Sequence, residues 1–258
     1  MLCKEIIEVI ENTYPKHAAM GWDNVGLLVG RTEKEVKRIF VALEVTDEVL
    51  SKAIESGADM IVTHHPLIFS PLKRITDEHF IGSRVVKLLQ HDISYYAMHT
   101  NYDVLGMAEL SEKILGLCNA EVFEITDTEN NKGIGRIGNL ENGMTAMECC
   151  ELVKQRFKLE SVKLFGDRDA IVDRVALVPG SGSKMIDMAI QKKADVLISG
   201  DIDHHTGIDA VAQGLVVIDA GHYGLEYIFI EDMASYLEKH LKEITVERAE
   251  IHHPFQVI

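Results

Sequence analysis

The sequence lacks any apolar run of the roughly 18 residues that a membrane-spanning helix needs, so membrane insertion is not expected. It also lacks a basic stretch. Lys and Arg together number 26 against 41 Asp and Glu, for a formal net charge of -15. A phosphate backbone would be repelled by such a surface, and nucleic acid is not an expected partner. There are only four cysteines, Cys3, Cys118, Cys149 and Cys150, none in a CxxC pair. That argues against a zinc knuckle or a disulfide framework and fits a reduced, cytoplasmic setting. No glycine loop runs into GK[ST], so a P-loop is excluded, and no segment is of low complexity. What remains is a globular chain of 258 residues, 47% hydrophobic and 26% charged, long enough for one large α/β domain or two small ones. Its first residues, MLCKEIIEVIENTY, read as an amphipathic helix rather than a signal peptide, because Lys4, Glu5, Glu8 and Glu11 interrupt the apolar pattern.

The chain repeats itself. KRIFVALEVTDEVLSKAIESGADMIVT (37–63) aligns without a gap to DRVALVPGSGSKMIDMAIQKKADVLIS (173–199), at an offset of 136 residues. Each copy reads as strand, turn, helix, strand. Val49, Leu50, Ala53 and Ile54 match Met185, Ile186, Ala189 and Ile190 on the helix face. The closing strands, MIVT and VLIS, are apolar throughout, as in parallel sheets buried on both faces. The pattern predicts a βαβ unit in each copy. Farther on, ISYYAMHTNYD and LVVIDAGHYGLE both end in H-x-x-x-[D/E]. The fold expected is therefore α/β, with two similar interlinked units: residues 1–125, with 231–258 packing back on them, and residues 126–230. The Gly- and Asn-rich stretch TDTENNKGIGRIGNL (126–140) marks the expected boundary.

Ligands of open α/β sheets bind beyond the carboxyl ends of the strands. The polar endpoints of both copies fall there: His64 and His65, His99 and Asp103, Asp201 with His204 and His205, and His222 and Glu226. Imidazoles with carboxylates suit zinc, iron, manganese or nickel. Successive side chains on an extended chain diverge, so His64 and His65 point to two adjacent ions, one for each, with carboxylates bridging. The i, i+4 spacing of His222 and Glu226 puts both on one side of a helical turn, and Gly221 permits an unusual backbone angle just before it. His17, His79, His91 and His240 read as ordinary surface or core residues. His252-His253-Pro254 copies the look of His64-His65-Pro66 but follows no buried βαβ unit, and no ligand is expected there.

At GWDNVGLLVG (21–30), ADMIVTHHPLIF (58–69), MHTNYD (98–103), SGDIDHH (199–205) and DAGHYGLE (219–226), the sequence resembles the Nif-three-like dinuclear metal-centre family, whose members include GTP cyclohydrolase I type 2 homologs. The resemblance covers essentially the whole chain. It implies the Nif-three-like fold and two divalent metal ions per chain, Fe, Zn, Mn or Ni. The implied ligands are His64, His65, Asp103, His222 and Glu226, with Asp103 and Glu226 bridging. It also implies a ring-shaped homohexamer with the metals facing an internal cavity. Tyr102 stands where the family more often has leucine. His99, His204 and His205 are then expected near substrate as catalytic groups, with an imidazole able to carry protons near neutral pH. Asp201 could accept the second N–H of a ligating histidine, and Asp23 and Asn24 could line the cavity. Trp22 reads equally well as a core aromatic.

Two metals about 3.5–4 Å apart supply hydroxide at neutral pH and clamp a substrate oxygen. The expected function is a dinuclear-metal hydrolase of the GTP cyclohydrolase type, with metal-activated water attacking a purine nucleotide. Phe69, Tyr102 and Tyr223 are candidates to meet the base. Two alternatives stay open. One is a metal-dependent phosphoesterase or nucleotidase, with Lys73 or Arg74 as the basic clamp and PGSGS (179–183) either a phosphate cradle or a plain turn. The other is a non-enzymatic metal-binding regulator.

Overall fold

Short, wholly apolar strands need cover on both faces, and the chain supplies it with helices after each. The computed structural model describes residues 1–256 and 258. Eleven strands are found among them: β1 Gly26–Val29, β2 Arg38–Ala42, β3 Met60–Thr63, β4 Ser94–Ala97, β5 Cys118–Asp127, β6 Lys132–Thr145, β7 Lys163–Phe165, β8 Ile171–Ser181, β9 Val196–Gly200, β10 Val216–Asp219 and β11 Thr245–Arg248. They form two sheets, ordered β1-β4-β3-β2-β11 and β5-β6-β8-β9-β10-β7. The architecture is thus mixed α/β, with one sheet in each of two units. Among the described residues, no helix is long and apolar enough to cross a membrane. All four cysteines are free thiols.

The first unit comprises Met1–Tyr102 and Ile228–Ile251. Its β2, β3 and β4 run parallel, β11 adds to β2 in parallel, and β1 closes the edge antiparallel to β4. Thr46 caps helix Asp47–Glu55 by accepting Val49 N–H at 3.1 Å, and Leu50 and Ala53 are its buried face. Helix Ile228–His240 buries Phe229, Met233 and Leu237.

The second unit comprises Asp103–Tyr227 and His252–Ile258. A long antiparallel hairpin, β5 with β6, leads into β8. From there β8, β9 and β10 are parallel, and β7 is antiparallel on the far edge. Phe123, Ile137, Ala176, Leu197 and Val217 are fully buried in its core. The Gly- and Asn-rich stretch expected as a boundary holds the tip of the β5–β6 hairpin, inside this unit. Asp127 Oδ1 accepts Glu129 and Asn130 N–H there, both at 3.1 Å, and Asn131 takes a left-handed φ of 51°. The stretch is polar because it turns, not because it links.

The internal repeat extends to the register. Ile39 pairs with Met60 in one unit and Val175 with Val196 in the other, both pairs related by the same 136-residue offset. Asp59 Oδ2 accepts the N–H groups of Lys37 and Arg38 (2.8 and 3.0 Å). Asp195 Oδ2 accepts those of Asp173 and Arg174 (3.0 and 2.8 Å). The copies differ at the helix start. Gly182 stands where Thr46 caps, so the second copy opens with a 3-10 turn, Ser183–Met185, before helix Ile186–Gln191. A Cβ at Gly182 would lie 2.1 Å from Ser199 Oγ, which leaves no room for a capping side chain.

Candidate functional site

In the first unit, buried β3 delivers His64 and His65 at its carboxyl end. The turn is clamped by Tyr95, fully buried, whose hydroxyl accepts Leu67 N–H (2.8 Å) and donates to the His65 carbonyl (2.9 Å). Burial pushes the Tyr95 phenol up to about 12, so the clamp stays protonated. His64 is fully buried and its Nδ1 donates to the Met98 carbonyl at 3.0 Å. In a neutral imidazole this makes Nε2 the lone-pair nitrogen. His99 follows β4, with Nδ1 2.8 Å from Asp23 Oδ1. Asp23 Oδ2 accepts Thr100 N–H (3.0 Å) and Thr100 Oγ1–H (2.5 Å). Burial alone would raise the Asp23 carboxyl, but hydrogen bonds from His99 and Thr100 outweigh it and hold the group down at about 2. His64, His65 and His99 each bring a ring nitrogen within 4.8 Å of the others.

In the second unit, Gly221 (φ +77°) turns β10 into the short helix His222–Glu226. His222 is held at both nitrogens, Nδ1 2.7 Å from Asp201 Oδ2 and Nε2 2.9 Å from Glu226 Oε2. Burial works against the imidazolium, yet the flanking carboxylates prevail and raise His222 to about 10. Asp201 itself sits at φ 54°, outside the usual region for a non-glycine residue. Asp103 opens a π-helical turn, Asp103–Met107, a distortion that recurs at functional sites. Its carboxylate lies within 4.8 Å of that of Glu226, which is 3% exposed. Gly180, at φ +83°, passes so close that a Cβ would lie 2.6 Å from Glu226 Oε1.

The first unit thus brings three imidazoles together, and in the second Glu226 lies beside both Asp103 and His222. A metal bond to nitrogen or oxygen is about 2.0–2.2 Å, so two ligands of one ion lie no more than about 4.4 Å apart. Donor atoms here lie within 4.8 Å of one another, so these residues could hold a metal ion. Three imidazoles, His64, His99 and His222, present Nδ1 to an oxygen, as ligating histidines usually do.

Other expected residues fall elsewhere. His204 and His205 are exposed at the start of helix His204–Ala212, their rings 5.2 Å apart. Tyr102, offered above as a partner for a base, is fully buried and donates to Asp232 Oδ2 at 2.6 Å; it is core. Trp22 is 63% exposed, its ring 5.8 Å from Phe69 and 6.1 Å from His99. Its neighbour Asp23 turns inward to His99 and Thr100, which leaves Trp22 at the surface. PGSGS is the end of β8 running into the 3-10 turn, where Gly182 N–H donates to the Gly200 carbonyl and Ser183 Oγ–H to the Asp201 carbonyl. Sequence reasoning missed what Gly180 and Gly200 do. A Cβ on Gly200 would lie 2.4 Å from His222 N, and a glycine closing an apolar strand is the available signal.

The family model for Duf34/NIF3 (NGG1p interacting factor 3) matches residues 1–254. A GTP cyclohydrolase 1 type 2 homolog of Streptococcus pneumoniae is 36% identical over 245 residues, covering 93% of this chain and 91% of its own. One of Clostridium perfringens is 34% identical over 229 residues, covering 88% and 87%. The crystal structure of a Bacillus cereus protein related to NIF3 superposes with a TM-score of 0.94 at 28% identity, covering 100% and 99% of the two chains.

Proposed function

Because the chain belongs to the Duf34/NIF3 family, we propose that it binds two divalent transition-metal ions through His64, His65, Asp103, His222 and Glu226 and hydrolyses a purine nucleotide. The observation that carries this reading is the shared fixing of Nδ1 in His64, His99 and His222 by Met98 O, Asp23 and Asp201. Surface histidines gain nothing from such anchoring, whereas a ligand gains orientation and basicity. Bound ions of this kind bring the pKa of water to about 7 and polarise a substrate oxygen. The relatives named GTP cyclohydrolase 1 type 2 homolog make a guanine nucleotide the first substrate to test. Water would add to the imidazole carbon between the two ring nitrogens, one ring carbon–nitrogen bond would break to leave a formamide, and a second water would cleave that formamide to formate and a free amine.

The chain's own residues supply the rest of the proposal. Asp23, held as a carboxylate, orients His99 so that Nε2 exchanges a proton with substrate. His204 and His205, exposed, pass protons to solvent. Asp103 and Glu226 would hold the ions through their carboxylates. The protein works in a reducing, cytoplasmic setting as a homohexamer, for which light scattering on the purified chain is the check.

The deciding experiment is metal analysis of untagged protein with a product scan on GTP and a panel of phosphoesters. The reading expects two ions per chain and formate. Phosphate or nucleoside release alone would identify a phosphoesterase instead, and two ions without turnover a metal-binding protein. Glu226→Gln should strip metal, and a variant retaining two ions per chain would refute the ligand assignment.

A further inference from the structure

The second unit holds a cavity of about 440 Å³ whose walls include Lys163, Asp201, Asp219, His222, Tyr223 and Phe255. That volume is in the range of small-ligand sites. Asp219 is the informative wall residue. It ends β10, it is 4% exposed, and its two oxygens are each engaged once: Oδ1 by Gly221 N–H at 3.0 Å and Oδ2 by Lys163 Nζ at 2.9 Å. A carboxylate oxygen accepts two hydrogen bonds. One acceptor position therefore remains on each oxygen of this cavity-lining carboxylate.

Such a pair matches two adjacent N–H donors on a planar ring, the edge that a 2-amino-pyrimidinone presents through its ring N–H and exocyclic amine. An adenine edge offers one donor and one acceptor, and the acceptor would face an oxygen with nothing to donate. Tyr223 adds an aromatic face to the cavity and is held in place, its hydroxyl accepting His252 N–H at 2.9 Å and its ring stacked 6.2 Å from Tyr227. Phe255 adds a second aromatic surface. Flat rings stack on such side chains whatever their edge chemistry. Lys163 has three donors and its side chain is 71% exposed. With one N–H on Asp219, it can reach an anionic tail at the cavity mouth.

We propose that this cavity is the binding site for a guanine-type base, with Asp219 reading the donor pair, Tyr223 and Phe255 flanking the ring and Lys163 holding a phosphate. The inference deepens the reading above, because His222 and Asp201 form part of the same wall. Asp219 is a specificity residue here and takes no part in bond making.

The test is equilibrium binding of GMP, IMP and AMP to the full chain, with metal and after treatment with a chelator. GMP should saturate. IMP, which lacks only the 2-amino group, should bind at least about tenfold more weakly, the loss of one hydrogen bond to a charged acceptor. AMP should not saturate. Asp219→Asn, isosteric but with one acceptor replaced by a donor, should abolish the preference for GMP over IMP while metal content stays at the wild-type value. Lys163→Met should weaken GMP more than it weakens guanosine. Equal binding of the three nucleotides by the wild type, or a preference that survives Asp219→Asn, would overturn the proposal. Should Asp219→Asn not fold, the GMP to IMP ratio of the wild type decides alone. The metal reading fails separately: wild-type protein that takes up no metal but still prefers GMP keeps this site and loses the metal centre, and metal uptake without base preference does the reverse.

Discussion

Replacing Gly180 by alanine isolates the seat of Glu226. The backbone at Gly180 holds φ +83°, and an added Cβ would lie 2.6 Å from Glu226 Oε1 and 3.8 Å from His222 Nε2. The left-handed conformation costs an L-residue roughly 1–2 kcal/mol wherever it occurs. Gly57→Ala provides the control, since Gly57 has φ +71° with nothing within 4 Å of an added Cβ. Both variants should therefore lose about 1–2 kcal/mol in urea unfolding with chelator present. They should part company in metal binding. The obstructing atom at Gly180 is the tip of a flexible side chain, so Glu226 yields by rotating. That breaks its 2.9 Å contact with His222 and moves its oxygen off the position it holds beside Asp103. Disturbing the supports of a metal ligand costs roughly 10–100-fold in affinity, and displacing the ligand itself should cost no less. Gly57→Ala should bind metal as the wild type does. Equal metal affinity in the two variants, at equal loss of stability, would refute the claim that Glu226 is held in place for a metal.

Lys193 has φ 57° at the position matching Gly57 in the other copy, so Lys193→Gly should stabilise by about 0.5–1 kcal/mol in urea unfolding, the release of strain exceeding the added chain entropy. Asp59→Ala and Asp195→Ala each remove one carboxylate that accepts two backbone N–H groups, and each should cost about 1 kcal/mol by the same assay, discounted for solvent exposure. In the metal-free protein His222 is raised to about 10, against 6.5 for the unperturbed group. Its stabilisation is complete below pH 6.5 and fades as pH rises through 10. A metal must displace that proton, so affinity measured by titration should rise by up to about tenfold per pH unit from pH 7 to 9; a flat profile would remove His222 from the ligand set.

The parallel core of each unit was legible because a βαβ unit repeats its own constraints. Ile39 and Val175 hold matching places in buried stretches of β2 and β8, and Asp59 and Asp195 tie the returning strand to the first, so the 136-residue offset in sequence becomes the same offset in register. The antiparallel additions were not legible. β7 is three residues long, and β5 carries exposed residues at much of its length, so neither shows the apolar run that marked MIVT and VLIS. The polar stretch at 126–140 read as a linker because a hairpin tip and a linker share a composition. The shorter second helix follows from Gly182, whose reason is steric and lies in Ser199, a contact that no local pattern contains.

The histidines show where the limit falls for the site. Spacing singled out His64, His65, His99 and His222, and each lies within 4.8 Å of other metal-capable donors in its own unit. Spacing gave the same credit to His204 and His205, which lie exposed with their rings 5.2 Å apart. The difference lies in what receives Nδ1. For His64 it is a main-chain carbonyl, Met98, which carries no sequence signal. For His99 it is Asp23, 76 residues away, and for His222 it is Asp201, 21 residues away and in a strained backbone conformation. An anchored Nδ1 is not sufficient by itself, since exposed His240 offers its own to the Tyr236 carbonyl at 2.8 Å. Anchoring and a second donor within ligand distance together mark His64, His99 and His222, and only the folded chain states the two together. On that criterion Asp23→Asn should leave the metal content intact while lowering turnover, because Asp23 touches His99 and Thr100 but none of the five proposed ligands. Loss of metal in Asp23→Asn would instead place His99 among the ligands.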